Sequence, residues 1–175
     1  SSTVARILHQ RVDNELPLVS HLVRKHKANK VDGHGVFKDW SVLLIQHQLG
    51  TQMSQSRALI DLGAHPNDLI YLPPPYTHHK AFETEAIRLL GVPPSNFMQH
   101  SFTIGKHYEQ YRKEHITDLL PGIVRMMAAR KSKKLLVLDD GGCFLEAAVQ
   151  LSKAAQSSSL AGSAVQLAET WKLLR

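Results

Sequence analysis

Four short apolar runs, each separated from the next by a stretch with helical spacing, constrain this chain more than any other feature. The runs are "SVLLIQ" (41–46), "NDLIYL" (67–72), "NFMQHSF" (96–102) and "KLLVLDD" (134–140). Between and after them lie "GTQMSQSRALIDLG", "THHKAFETEAIRLLG", "KHYEQYRKEHITDLLPGIVRMMAARK" and "CFLEAAVQLSKAAQ". Short branched runs that alternate with longer amphipathic stretches make βαβ units, because a parallel neighbour is reached only through a long crossover. The expectation is therefore an α/β fold. It is a three-layer α/β/α domain with a mainly parallel sheet of about four strands, Rossmann- or flavodoxin-like, near 41–46, 67–72, 96–101 and 134–139.

Punctuation residues support this layout. Gly63 and Gly91 follow helical stretches and read as C-terminal stops, and Thr77 reads as an N-cap. Pro17 and Pro121 fall inside helical patterns and predict kinks. Residues 4–29 carry Ile7, Leu8, Val12, Leu16, Val19, Leu22 and Val23 at helical spacing, and 160–175 carry Leu160, Val165, Leu167, Trp171, Leu173 and Leu174. The expected organisation is an N-terminal helix and glycine-rich loop over 1–39, the α/β part over 40–156, and a loop and helix over 157–175. A homo-oligomer through the terminal helices and a single protomer burying both remain open.

Composition narrows the function classes. With 175 residues, 43% apolar and 21% charged, the chain has the size and balance of one soluble globular domain. No apolar run approaches the ~20 residues of a membrane span, so no membrane partner is expected. Cys143 is the only cysteine, which rules out an internal disulfide and a thiolate zinc site and favours a cytoplasmic setting. The opening "SSTVARILHQ" has neither an initiator Met nor a signal core and reads as a processed or excised chain. The net charge of +6 gathers in "VRKHKANK" (23–30) and "RKSKK" (130–134), each at a predicted helix end, where cations complement the helix dipole. Neither run comes with aromatic stacking residues or a reading motif, so nucleic acid is not an expected partner. Eleven histidines include no metal-binding spacing, and no metal is expected.

Parallel α/β sheets bind ligands at the carboxyl ends of their strands, where the strand order reverses. Here those ends are "QHQLGT" (46–51), "LPPPYTHH" (72–79), "QHSFTIG" (99–105) and "LDDGGC" (138–143), all polar or rich in histidine, glycine and hydroxyls. Each candidate has two readings. Asp139 and Asp140 either cap the following helix or offer a carboxylate to a sugar hydroxyl or a proton, with Gly141 and Gly142 letting the backbone approach a ligand. His47 is either a satisfied half-buried histidine or a site group. His78 and His79, expected in the first turn of a helix beside Thr77, either contact an anionic group or form a solvated face. Cys143 has no partner pattern of a nucleophile and reads as structural filler.

The segment "LLIQHQLGTQMSQSRALIDLGAHPNDLIYL", with the later "LLVLDDGGCFLEAA", resembles the N-terminal substrate domain of S-adenosylhomocysteine hydrolase over roughly residues 40–148. In that family the first strand ends in His-x-Thr-x-Glu and a helix runs on to Leu-Gly-Ala. His47 stands at the matching distance from Leu62, Gly63 and Ala64. The fourth family strand ends in Asp-Asp-Gly-Gly-Asp, which matches Asp139 to Gly142. The resemblance implies His47 and Asp140 as catalytic positions. It implies Asp139, Gly141, Gly142, Thr51, Thr77, His78 and His79 as ligand contacts.

The departures are chemical. The family threonine and glutamate fall on Leu49 and Thr51, the Ser-Thr-Gln-Asp segment on Tyr76 to His79, and the last aspartate on Cys143. No Gly-x-Gly-x-x-Gly loop is present, so the chain itself holds no cofactor; NAD would belong to a longer parent. Cleavage in the family starts with NAD oxidation at the ribose 3′ carbon, so this chain alone is not expected to hydrolyse adenosylhomocysteine. Two functions from different classes follow. One is a divergent adenosylhomocysteinase-like domain that binds a nucleoside or nucleotide-like small molecule at the carboxyl edge, as part of a larger NAD-dependent protein. The alternative is a non-catalytic interaction or ligand-sensing domain that kept the fold and lost the chemistry.

Overall fold

Branched and aromatic residues form strands where their density is highest. The computed structural model describes residues 16–28, 34–74, 78–98, 107–130 and 134–156. The helix start before Leu16, Thr77, the segment after Met98 in the third expected strand, and the terminal helix at 160–175 lie outside the described residues. In chain order the elements are α1 (Pro17–His26), β1 (Trp40–Ile45), α2 (Gly50–Asp61), β2 (Leu69–Tyr71), α3 (Lys80–Leu90), α4 (Tyr108–Ala129), β3 (Lys134–Asp139) and α5 (Cys143–Gln156). Short 3-10 turns at Pro66–Asp68 and Pro94–Asn96 complete them. None of the described helices is long and apolar enough to cross a membrane. Two compact units result, one within residues 1–100 and 133–138, the other within 101–132 and 139–175.

The first unit is built on a three-stranded parallel sheet in the order β2–β1–β3. Val42, Leu43 and Leu44 pair with Leu69, Ile70 and Tyr71, and the Leu72 N–H extends the ladder to the Leu44 carbonyl at 2.9 Å. At the start of the neighbouring strands the Lys134 ammonium lies over the Trp40 ring, 5.2 Å from its centre. The mixed α/β fold with a parallel sheet is as expected, with three strands instead of four among the described residues.

The difference lies in the third expected strand. Phe97 makes one parallel bridge to Tyr71, and the Met98 N–H donates to the Tyr71 carbonyl at 2.9 Å. Just before it, Pro93 and Pro94 supply no N–H for a ladder, and Asn96 serves as a clasp. The fully buried Asn96 amide donates to the Asn67 and Leu69 carbonyls, both at 2.8 Å. The bridge sits on the outer side of β2, so the chain steps outward from β1 to β2 to Phe97 and then returns to the other side of β1. Strand order therefore reverses at β1, as in doubly wound sheets.

One face of the sheet presents Val42, Leu44, Leu69 and Tyr71 to Met53 and Leu59 of α2 and to Phe82, Ala86 and Leu90 of α3. The Tyr71 ring stacks on Phe97 at 4.9 Å and meets Phe82 edge-on at 5.6 Å. Each such side chain contributes about 1.5–3 kcal/mol on burial. The Tyr71 hydroxyl is buried with the ring and donates to Ser56 Oγ at 2.8 Å. Burial pushes the phenol up to about 12, because a phenolate there would lose its hydration; the Ser56 hydrogen bond only partly opposes this. Leu43, Ile45 and Ile70, on the opposite face, are buried as well. Burial of both faces is what a strand run without alternation predicts.

Helix ends follow the glycines. Gly91 caps α3 in the left-handed region at φ 72°, and Gly63 follows α2 at φ 108°. Gly63 has a second constraint. A Cβ on Gly35 would lie 2.5 Å from the Leu62 carbonyl oxygen, and one on Gly63 would lie 2.6 Å from Gly35 Cα. Two backbones touch there, and the Phe37 N–H donates to the Leu62 carbonyl at 3.1 Å. Pro17 departs from expectation: it starts α1 at the first helical turn and does not kink a longer helix. A proline fits there because its missing N–H has no intrahelical acceptor in a first turn. Arg24, Lys25 and His26 occupy the last turn of α1, as the charge run suggested.

In the second unit α4 runs as one helix through Pro121. Ile116, Leu120, Ile123 and Met127 form a buried stripe on it, and among the described residues of α5, which packs on α4, Cys143 and Ala147 are buried. The spacing of that stripe is the helical pattern of one packed face. His115 stacks on Tyr111 at 5.7 Å. Burial lowers the His115 pKa, since desolvation disfavours the imidazolium, and the Asp118 carboxylate opposes this only in part.

Candidate functional site

Strand β1 ends in Ile45, and the next residues are polar: Gln46, His47 and Gln48. A parallel strand must leave the apolar interior at its carboxyl end, and these residues make that exit. Gln48 stays inside at 3% exposure, and its Oε1 accepts the His79 N–H at 2.6 Å. His79 is the N-cap residue of α3 and makes no side-chain cap of its own. The bond therefore ties the exit of β1 to the start of α3, and it satisfies a backbone donor left over by that helix start.

The neighbouring loop is latched in the same place. His78 Nε2 donates to Glu83 Oε1 at 2.5 Å, and Lys80 Nζ lies 3.2 Å from Glu83 Oε2. Glu83 is 3% exposed, so its carboxylate is held by two donors at the first turn of α3, where the helix dipole also favours it. His78 and His79 were expected inside the first turn of the helix. They precede it, because the helix begins at Lys80. Both are exposed, as a solvated face would have them, and each also makes one bond: His79 supplies a backbone N–H to Gln48, and His78 an imidazole to Glu83.

Helix α2 starts at the same edge. Leu49 is its N-cap residue without a side-chain cap bond, and Thr51 is exposed on its first turn. His47 is half-buried, and its carbonyl accepts the Leu49 N–H at 2.8 Å. Gln52 is the unusual residue. It is 4% exposed, and neither its Oε1 nor its Nε2 has a hydrogen-bond partner. Gln48 Nε2 and Gln46 Oε1 are likewise buried without partners. Leaving a buried amide group unsatisfied costs about 1–3 kcal/mol. Three glutamines at one strand exit thus hold buried donors and acceptors with no partner in the protein.

The Asp-Asp-Gly-Gly corner belongs to the second unit and is organised differently. Asp139 ends β3, and its Oδ2 accepts the Phe144 N–H at 2.7 Å across the turn. Gly141 and Gly142 adopt φ 116° and 72°, which lets the chain double back that tightly. The Cys143 thiol is buried and donates to the Gly141 carbonyl at 3.8 Å. Asp140 is exposed in the turn. For Asp139 the capping reading is the observed one, though its Oδ1 is buried and has no hydrogen-bond partner.

His47, Thr51, His78 and His79 fall in the first unit, and Asp139, Asp140, Gly141 and Gly142 in the second. The described residues bring His79 together with Gln48, and His78 with Glu83. These partners were missed in the sequence, where neutral glutamines carry no signature.

Two surface concavities are elsewhere. One is a groove between α1 and α2, the other a shallow surface on α5 around Leu145 and Val149. Neither is lined by a residue named as a site candidate above. Among the described residues no three or more of His, Cys, Asp and Glu cluster in a way that would hold a metal ion. No family model, curated protein or solved structure matches the chain.

Proposed function

We propose that this chain is a small-molecule-binding α/β domain whose ligand sits at the carboxyl edge of β1 and β2. One observation carries the proposal: Gln52 is buried on the first turn of α2 with both amide atoms unpartnered. A ligand entering the edge can satisfy such a group, as an ordered water can in its absence. A planar amide offers one donor beside one acceptor, which complements the edge of a nucleobase. Gln48, already fixed by the His79 N–H, offers its Nε2 as a second donor. The nucleoside or nucleotide-like class comes from the resemblance of the strand ends to the adenosylhomocysteine hydrolase substrate domain. Within that reading His47, Thr51 and the loop at His78 and His79 line the edge.

The proposal is for binding and not turnover. The 175 residues contain no dinucleotide-binding glycine loop, so any oxidation by NAD would need another domain of a longer protein. The test is calorimetric titration of the chain with adenosine, in the native form and as Gln52→Met. Saturable binding weakened about tenfold or more by the substitution is expected, the loss of roughly one good hydrogen-bonded pair. Equal binding by both forms, or no adenosine binding at all, overturns it.

A second reading has its own observation. Leu145 and Val149 on α5 are 69% and 45% exposed, more apolar surface than a helix facing water needs. That surface suits the non-catalytic interaction domain. Sedimentation of the native chain against Leu145→Glu separates the two readings, since only an interaction surface changes mass with that substitution.

A further inference from the structure

We infer that the groove between α1 and α2 is a second binding site, for a small phosphate monoester carrying an apolar body. It measures about 290 Å³, at the lower end of the ~300–1,000 Å³ typical of small-molecule sites. Its more buried lining is largely apolar, with Val19 and Val23 of α1 and Ala58 of α2 half-buried. Its rim is not. Arg24, Lys27 and Arg57 line it against one carboxylate, Asp61. The side chains of these three cations have no ion-pair or hydrogen-bond partner among the described residues.

The charge arithmetic selects the ligand. Three cations less one carboxylate leave +2. The C-terminus of α1 opposes this by about half a charge, so the rim stays positive. A phosphate monoester brings about −1.5 to −2 at pH 7 and three acceptor oxygens, which an arginine pair engages in bidentate fashion. A carboxylate brings only one charge. The apolar lining requires a body attached to the head, and the small volume limits that body to a short one.

The chain's own ends are poor occupants. Residues 1–15 carry Arg6 and Arg11 against Asp13 and Glu15, and 157–175 carry Lys172 and Arg175 against Glu169, so neither segment is acidic. The groove is also separate from the carboxyl edge: it uses Arg57 and Asp61, in the later turns of α2, while Gln52 lies in the first.

The experiment is titration of the full chain with n-hexyl phosphate, with inorganic phosphate and hexyltrimethylammonium as controls. Hexyl phosphate is expected to bind one to one and inorganic phosphate about tenfold more weakly or worse, having no apolar body. Hexyltrimethylammonium is expected not to bind. Arg57→Gln and Arg24→Gln should each weaken hexyl phosphate by about tenfold, the loss of one charge-assisted contact, and Asp61→Asn should tighten it. All three replace exposed side chains, and unchanged melting temperatures would show the fold intact. The proposal fails if hexyl phosphate does not saturate, if inorganic phosphate binds equally well, if hexyltrimethylammonium binds, if the arginine variants bind like the native chain, or if Asp61→Asn does not tighten binding.

Discussion

The exit of β1 and the corner after β3 are both places where an apolar strand meets polar residues, and they solve that problem in opposite ways. The corner closes almost entirely on itself: Asp139 Oδ2 takes the Phe144 N–H and the Cys143 thiol points to the Gly141 carbonyl, which leaves over one buried acceptor, Asp139 Oδ1. The β1 exit closes only in part. Gln48 takes the His79 N–H, but its own Nε2 and both amide atoms of Gln52 are left over. The more conspicuous motif is thus the better satisfied one, and the plain glutamines hold the spare hydrogen-bonding capacity. Buried hydrogen-bonding capacity without a protein partner is the feature of the β1 exit that needs an explanation.

The largest way to test this contrast is alkali, because the β1–β2 edge rests on Tyr71. Its phenol ionises near 10 in the unfolded chain and at about 12 in the folded one, so the unfolded state loses its proton first as pH rises. Stability tied to this group is complete below pH 10 and falls as pH approaches 12, by on the order of 2–3 kcal/mol. Urea unfolding at pH 8 and pH 11 should show about half of this loss, roughly 1.4 kcal/mol, in the native chain and not in Tyr71→Phe. A loss of the same size in both would assign alkaline sensitivity to other groups.

Next in size are truncations at the two exits, which should carry opposite signs. Asp139→Ala removes the acceptor that closes the corner and should cost about 1–2 kcal/mol, the range for a lost cap. Asp140→Ala, in the exposed part of the same turn, should stay within about 0.5 kcal/mol. Gln52→Met removes an unsatisfied amide and keeps its volume, so it should stabilise by roughly 0.5–1 kcal/mol. If Gln52→Met destabilises as Asp139→Ala does, the Gln52 amide is already satisfied and the contrast collapses.

The smallest effect is expected at acid pH in the second unit. Burial lowers the His115 pKa below its unfolded value, so the folded chain favours the neutral ring. Its contribution is complete above the unfolded value of about 6.5 and is lost as pH falls through that value toward the lowered one. Hydrogen exchange of α4 amides between pH 7.5 and 5 should show a modest loss of protection that His115→Gln removes.

What was legible in the sequence follows from the same contrast. Strand β3 was expected at 134–139 and is found there, because a branched run flanked by turn residues has few alternatives. Of the strand expected at 96–101 the described residues reach only Met98; they show one bridge at Phe97, while Asn96 is spent on clasping Asn67 and Leu69 and the prolines before it bring no donors. Pro17 was misread because apolar spacing continues on both sides of it, and spacing alone does not mark where a helix begins. The candidate site was legible where residue type announces chemistry, at His47 and the aspartates. It was illegible at Gln48, Gln52 and Glu83, whose importance comes from burial, a property of the fold and not of the residue.

The contact between Gly35 and Gly63 has one more consequence. Helix α2 is joined to β1 at its start by the short run through His47, and at its end it is clamped by a backbone contact that leads back into the same strand. It therefore behaves as a strut of about 18 Å, pinned at both ends to one beam. Gln52 sits near one pin, Arg57 and Asp61 toward the other. A load that tilts the strut at one pin must strain the joint at the other, so the glycine pair sets how stiffly the two ends of α2 feel each other.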